Sequence, residues 1–184
     1  MGSAVENRKI LVQLVNLEGK NCGYAEKISA HEKGQLHLAF SILFYQHHED
    51  GLHYLLQERA PDKYHSGGLW TNTCCSHPLP NEPIFTAATR RLNEELGIKD
   101  KMSFIHLGNI IYRESLDNNM IEHEYDAIIA AEPTSLTMNL NPEEVRNVRW
   151  WHQNEIDDVL KNAPETFTVW FSKVYKRVRD HANR

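Results

Sequence analysis

The chain has 184 residues, 41% hydrophobic and 24% charged, the balance of an ordinary globular protein. No apolar run approaches the roughly 18 residues of a membrane span, and a net charge of −5 with mixed signs argues against a nucleic-acid surface. A few local Lys and Arg can still make a positive pocket for a small anion. The segment MGSAVENRK lacks an apolar core with a small-residue cleavage site. Glu6 also occupies the position a myristoylation motif reserves for Ser or Thr. The expectation is a cytoplasmic protein, monomer or weak homodimer, with a flexible segment at 1–8.

In chain order, ILVQLV at 10–15 reads as a strand and Glu18–Asn21 as a turn. LHLAFSILFYQ at 36–46 is a long apolar strand, joined through a polar turn at 47–51 to LHYLLQER, giving a hairpin. APDKYHSGGL at 60–69 carries Pro and a Gly pair and reads as an irregular loop. Residues 81–97 form the clearest helix, with Asn81 as cap, Pro83 in the first turn and Gly97 just past the end. Strands follow at about 104–113 and 121–131, then a short one at 148–151. The C-terminal part is helical twice, and its second segment carries Phe167, Trp170, Phe171, Val174 and Val178 near i, i+3, i+4 spacing. These elements predict one α/β (α+β) domain over 1–184, with its core at about 27–180 and a mixed sheet flanked by helices.

Potential metal ligands stand in three places: His31 and His37 in HEKGQLH, His77 in CSHP, and Glu122 and Glu124 in EHE. Residues two apart in a strand share a face, so Glu122 and Glu124 point one way and His123 the other. Three imidazoles and two carboxylates suit a divalent cation such as Mn, Fe, Zn or Mg. Spacing alone does not select among eleven histidines. Cys75 shares a face with His77 if that segment is extended, and a cation nearby favours its thiolate. Cys22 and Cys74 read as small buried hydrophobes, and three cysteines, two of them adjacent, make a poor disulfide framework. Arg90–Glu94 and Arg91–Glu95 have i,i+4 spacing, which by itself describes a surface helix with two ion pairs.

Taken in order, HEKGQLHLAFS, LWTNTCCSHP, RRLNEELGI and YRESLDNNMIEHE resemble the type 1 isopentenyl-diphosphate isomerases, from about Lys27 to Trp170. The resemblance implies a Nudix-like fold. It implies His31, His37, His77, Glu122 and Glu124 as metal ligands, for Mn²⁺ or Mg²⁺ with Zn²⁺ also suited. It implies Cys75 and Glu124 as the catalytic pair, with Tyr112 assisting the glutamate and Trp170 facing the cationic carbon. Glu95 would hold a second Mg²⁺ with the substrate diphosphate, and Lys27, Arg59, Lys63 and Arg91 would surround that diphosphate. Flavin and nicotinamide are not expected.

The helix also resembles a degraded Nudix box. Ser76 stands where the box begins with Gly, Glu82 remains, and Arg91 replaces the first Glu of the final run, while Glu94 and Glu95 are kept. The fold is thereby implied and hydrolysis disfavoured. Two alternatives stay open: a Nudix-type diphosphate hydrolase, and a metal-stabilised binding module without catalysis.

Overall fold

A computed structural model describes residues 10–184; the segment expected to be flexible, 1–8, lies outside them. Among the described residues, one nine-stranded mixed sheet carries four α-helices. The strands are β1 (Leu11–Val15), β2 (Asn21–Glu26), β3 (His37–His48), β4 (Gly51–Arg59), β5 (Trp70–Thr71), β6 (Cys74–Ser76), β7 (Ile105–Ser115), β8 (Ile121–Ala131) and β9 (Val145–His152). The helices are α1 (Lys27–Lys33), α2 (Ile84–Leu96), α3 (Gln153–Asn162) and α4 (Phe171–Ala182).

β3 organises the sheet. It pairs antiparallel with β4 and β6 and parallel with β8, where His37 lies opposite Glu124. Phe40, Ile42 and Phe44 point into a core with Ala88, Leu92 and Leu96 of α2. Leu43 and Tyr45 point the other way, into a second core with Phe171, Val174 and Val178 of α4. A strand covered on both faces reads as an unbroken apolar run, which is why 36–46 is so plain in the sequence.

Two expectations need correction. Asn81 does not cap α2. It sits at φ 62°, in a turn three residues before the helix, a conformation Asn tolerates; Pro83 is the N-cap and no side chain caps it. Glu82 binds there instead, accepting from the Leu79 N–H and from Arg90. The last helix starts at Phe171, later than its apolar spacing suggests. Phe167 lies beyond a 3₁₀ turn (Pro164–Thr166) and bridges to Trp70 of β5. The strand expected at 10–15 and the turn after it are present, and a further strand follows: β2 pairs with β1, and β1 meets β3 at Leu14↔His37. Gly97 ends α2 as expected, at φ 66°. A Cβ there would lie 2.5 Å from the Asn139 carbonyl oxygen, so the 136–140 segment packs directly on that glycine.

Candidate active site

α1 is the short element that carries His31. Ile28, Ala30 and His31 are its buried residues, and Gly34 closes it in the left-handed conformation. His37 opens β3, His77 follows β6, and Glu122 and Glu124 are neighbours on one face of β8. All five side chains are buried, and their ligand atoms lie within 4.8 Å of one another. His123 points away, with Nδ1 bonded to the Gly34 carbonyl at 2.9 Å, as the strand alternation requires.

The hydrogen bonds test whether a cation fits. His31 Nδ1 lies 2.7 Å from the Lys27 carbonyl and His37 Nδ1 lies 2.8 Å from the Gln35 carbonyl, so both Nδ1 atoms must carry the proton. Burial lowers His31, so its ring is neutral and its Nε2 is a lone pair. That lone pair faces Glu122 Oε1 at 2.9 Å, and His37 Nε2 faces His77 Nε2 at 3.1 Å. His77 Nε2 in turn meets Glu124 Oε1 at 2.9 Å, while burial lowers His77 to about 3. Three imidazole nitrogens and two carboxylates crowded onto one point are what a divalent cation satisfies, and carbonyl bonds such as those behind His31 and His37 are the usual means of aiming ligating rings. The five residues fit a metal ion.

The two carboxylates differ. Burial and the neighbouring Glu124 push Glu122 up. Burial would raise Glu124 as well, but His37 and His77 outweigh it and hold Glu124 low. The Tyr112 hydroxyl donates to Glu124 Oε2 at 2.5 Å, across a directly paired position of β7 and β8. Burial and the adjacent carboxylates raise this phenol, so it keeps its proton. Asp126, next along the same face, accepts from Ser41 at 2.7 Å. Period 2 from Glu122 and Glu124 could have revealed Asp126.

A cleft opens beside the ligands, lined by Cys75, His77, Glu122, Glu124, Trp170, the four basic residues Lys27, Arg59, Lys63 and Arg91, and Glu95. The structure therefore gathers the remaining sequence-derived candidates in one place; Tyr112, His31 and His37 do not line the cleft, but each contacts a residue that does: Glu124, Glu122 and His77 respectively. Cys74 instead packs in the core against α2, as expected, whereas Cys22, expected to be buried as well, is exposed on β2. Burial pushes the Cys75 thiol up, and Arg59 is the main opposing influence. Glu95 stands apart from the five ligands, held by Arg91 at 2.6 Å and by Gln57 at 2.9 Å. Lys27 sits 4.8 Å from the centre of the Tyr64 ring, and burial together with Lys63 and Arg91 lowers it to about 7.

The loop 60–69 forms one side of the cleft. Arg59 donates to the carbonyls of Ser66 and His65, and Gly67 packs against Pro61, whose carbonyl oxygen a Cβ would meet at 2.2 Å. The loop brings in His65, 3.5 Å from Glu122 Oε2 and edge-on to Trp170. His65, Tyr64 and Glu144 line the cleft, and no sequence spacing marked them. Trp170 directly precedes α4; its Nε1 donates to Asn72 at 3.3 Å, and Arg59 lies 5.7 Å from its ring centre.

A NUDIX domain matches residues 35–173. The chain is 49% identical to an isopentenyl-diphosphate Delta-isomerase of Aliivibrio fischeri (strain MJ11), over 94% of this chain and 97% of that protein. It is 47% identical to one of Photobacterium profundum, over 91% and 93%. The chain belongs to the isopentenyl-diphosphate Delta-isomerase family. Its fold is that of the Nudix proteins: DR0079 of Deinococcus radiodurans superposes with a TM-score of 0.71 at 13% identity, covering 91% of this chain and 98% of that one. Among family features, the altered Nudix box now has a structural meaning. Arg91, in place of a box glutamate, turns its guanidinium to Glu95 and into the cleft.

Proposed function

We propose that this cleft converts isopentenyl diphosphate to dimethylallyl diphosphate, a step of isoprenoid biosynthesis, in keeping with the activity named for the chain's relatives. The observation that carries the reading is the joint presence of Glu124 and Cys75 on the walls of one cleft that also holds four basic side chains.

An unactivated alkene is a very weak base, so the proton donor must be well placed and water kept out. Glu124, which regains its proton from the Cys75 thiol between turnovers and has one oxygen held by Tyr112, delivers a proton to the terminal alkene carbon. Cys75, left as thiolate by that proton relay, takes the proton from C2, the electrons of that C–H bond become the new double bond, and the C–O bond to the diphosphate stays unbroken. Trp170 offers its π face to the positive charge that develops in between. Lys27, Arg59, Lys63 and Arg91 hold the diphosphate. His31, His37, His77, Glu122 and Glu124 would hold Mn²⁺ or Mg²⁺, with Zn²⁺ also compatible with these donors, and Glu95 would hold a second Mg²⁺ bound with the diphosphate. When bound, the cluster's ion fixes the ligating carboxylates and polarises them.

The test is purified protein with Mn²⁺ or Mg²⁺ and isopentenyl diphosphate, followed by NMR of the product. Dimethylallyl diphosphate is expected. Release of phosphate with no allylic product would overturn the reading in favour of a Nudix hydrolase.

A further inference from the structure

The site reserved for an anion contains a carboxylate that the isomerisation does not use. Glu144 precedes β9 and lines the cleft. Its side chain, one quarter exposed, pairs with Lys63, and its Oε2 is 3.5 Å from the Arg91 guanidinium. The same Arg91 nitrogen binds Glu95 at 2.6 Å, so one N–H corner is shared by two carboxylates. The placement is built into the backbone. The Asn141 N–H donates to the Glu95 carbonyl at 2.9 Å, and the Glu144 N–H closes a turn onto the Asn141 carbonyl at 3.0 Å.

The four basic side chains of the cleft share its lining with four carboxylates, Glu95, Glu122, Glu124 and Glu144. A free diphosphate monoester carries close to three negative charges and must compete with Glu144 for Lys63 and Arg91. A diphosphate bearing a divalent cation carries about one, and it presents that cation to the carboxylates. In a partly buried cleft such pairings are screened far less than on the surface.

We propose that Glu144 is a specificity-determining residue that makes the cleft select the divalent-cation complex of a diphosphate over the free anion. This rests on the reading of the cleft as a diphosphate site. It assigns Glu144 a binding role and no proton transfer.

The experiment measures binding of inorganic pyrophosphate by calorimetry, with saturating Mg²⁺ and with no Mg²⁺ added. The protein carries its His/Glu-site metal, checked by elemental analysis in both conditions. For the parent, Mg²⁺ should strengthen binding at least tenfold. Glu144→Gln should bind free pyrophosphate about tenfold more tightly than the parent and shrink the Mg²⁺ effect to about threefold or less. Glu144→Asp keeps the charge and should keep most of the Mg²⁺ effect. If Glu144→Gln weakens both forms equally, or leaves the ratio as in the parent, the ion pair is merely structural and the proposal fails. Should Glu144→Gln not fold, as judged by thermal melting, Glu144→Asp with an unchanged ratio supports the proposal and with a collapsed ratio sinks it. Failure of the isomerase reading would show separately, as absence of allylic product from the parent, whatever pyrophosphate does.

Discussion

Tyr112 and Glu124 stand directly opposite each other on β7 and β8, with the phenol donating to Oε2 at 2.5 Å. Both are buried, so the bond is made out of competition with water. A hydrogen bond to a charged group contributes about 1.5–3 kcal/mol. Tyr112→Phe should therefore lower kcat by roughly 10- to 150-fold. Metal content should be unchanged, because Tyr112 is outside the five-residue cluster. Unaltered steady-state kcat would show that the phenol only packs.

The two adjacent thiols should separate cleanly. Cys75 lines the cleft, whereas Cys74 is fully buried against α2. Cys75→Ala should abolish isomerisation with melting temperature and metal content intact. Cys74→Ala should keep most activity and lower the melting temperature. His77→Ala should instead reduce bound metal, measured by elemental analysis after dialysis. An inactive Cys74→Ala beside an active Cys75→Ala would mean that the wrong thiol had been assigned.

What could be read from the sequence follows physical range. β3, buried on both faces, and α2, closed by Gly97, are local patterns and were legible. α1 spans under two turns and leaves no periodicity to detect, although it delivers His31. The convergence of His37 with Glu124 comes from parallel pairing of distant strands, which no local spacing encodes. Only the resemblance of ordered motifs supplied it. Asp126 had a signal in the strand period. His65 and Glu144 had none, since each stands among other polar residues in a connecting segment that reads as solvated until the cleft is assembled.

Lys27 gives the cleft a pH dependence. Burial, then Lys63 and Arg91, lower it to about 7, and only its charged form attracts a diphosphate. As pH rises through about 7 the free enzyme loses that charge, so kcat/KM should fall on the alkaline side. Lys27→Arg, which keeps its proton, should remove this decline. The sign for stability is opposite. Unfolded lysine holds its proton to about 10.4, so from there down to the folded value the unfolded state binds more protons. This group should thus make the fold more stable as pH rises from about 7 towards 10. A kcat/KM profile with the same alkaline limb in parent and Lys27→Arg would count against Lys27 as its source.

Trp170 joins a core role to a cleft role. It packs with Phe167, Phe171 and Val174, yet it also lines the cleft beside Cys75. Its ring already lies 5.7 Å from the Arg59 guanidinium, so the surroundings are compatible with positive charge near an aromatic face. A desolvated cation–π contact is worth about 2 kcal/mol or more, which is roughly 30-fold or more in rate. The ground-state alkene carries no charge, so Trp170→Leu should lower kcat far more than it raises KM. Trp170→Phe retains a π face and should fall between Leu and the parent. Loss of the indole N–H is tolerable in both, because Asn72 Oδ1 also accepts from Thr71 at 2.9 Å. If Trp170 only fills the core, Leu and Phe should share one kcat and differ mainly in melting temperature. Kinetics and thermal melts on the two variants decide between these outcomes.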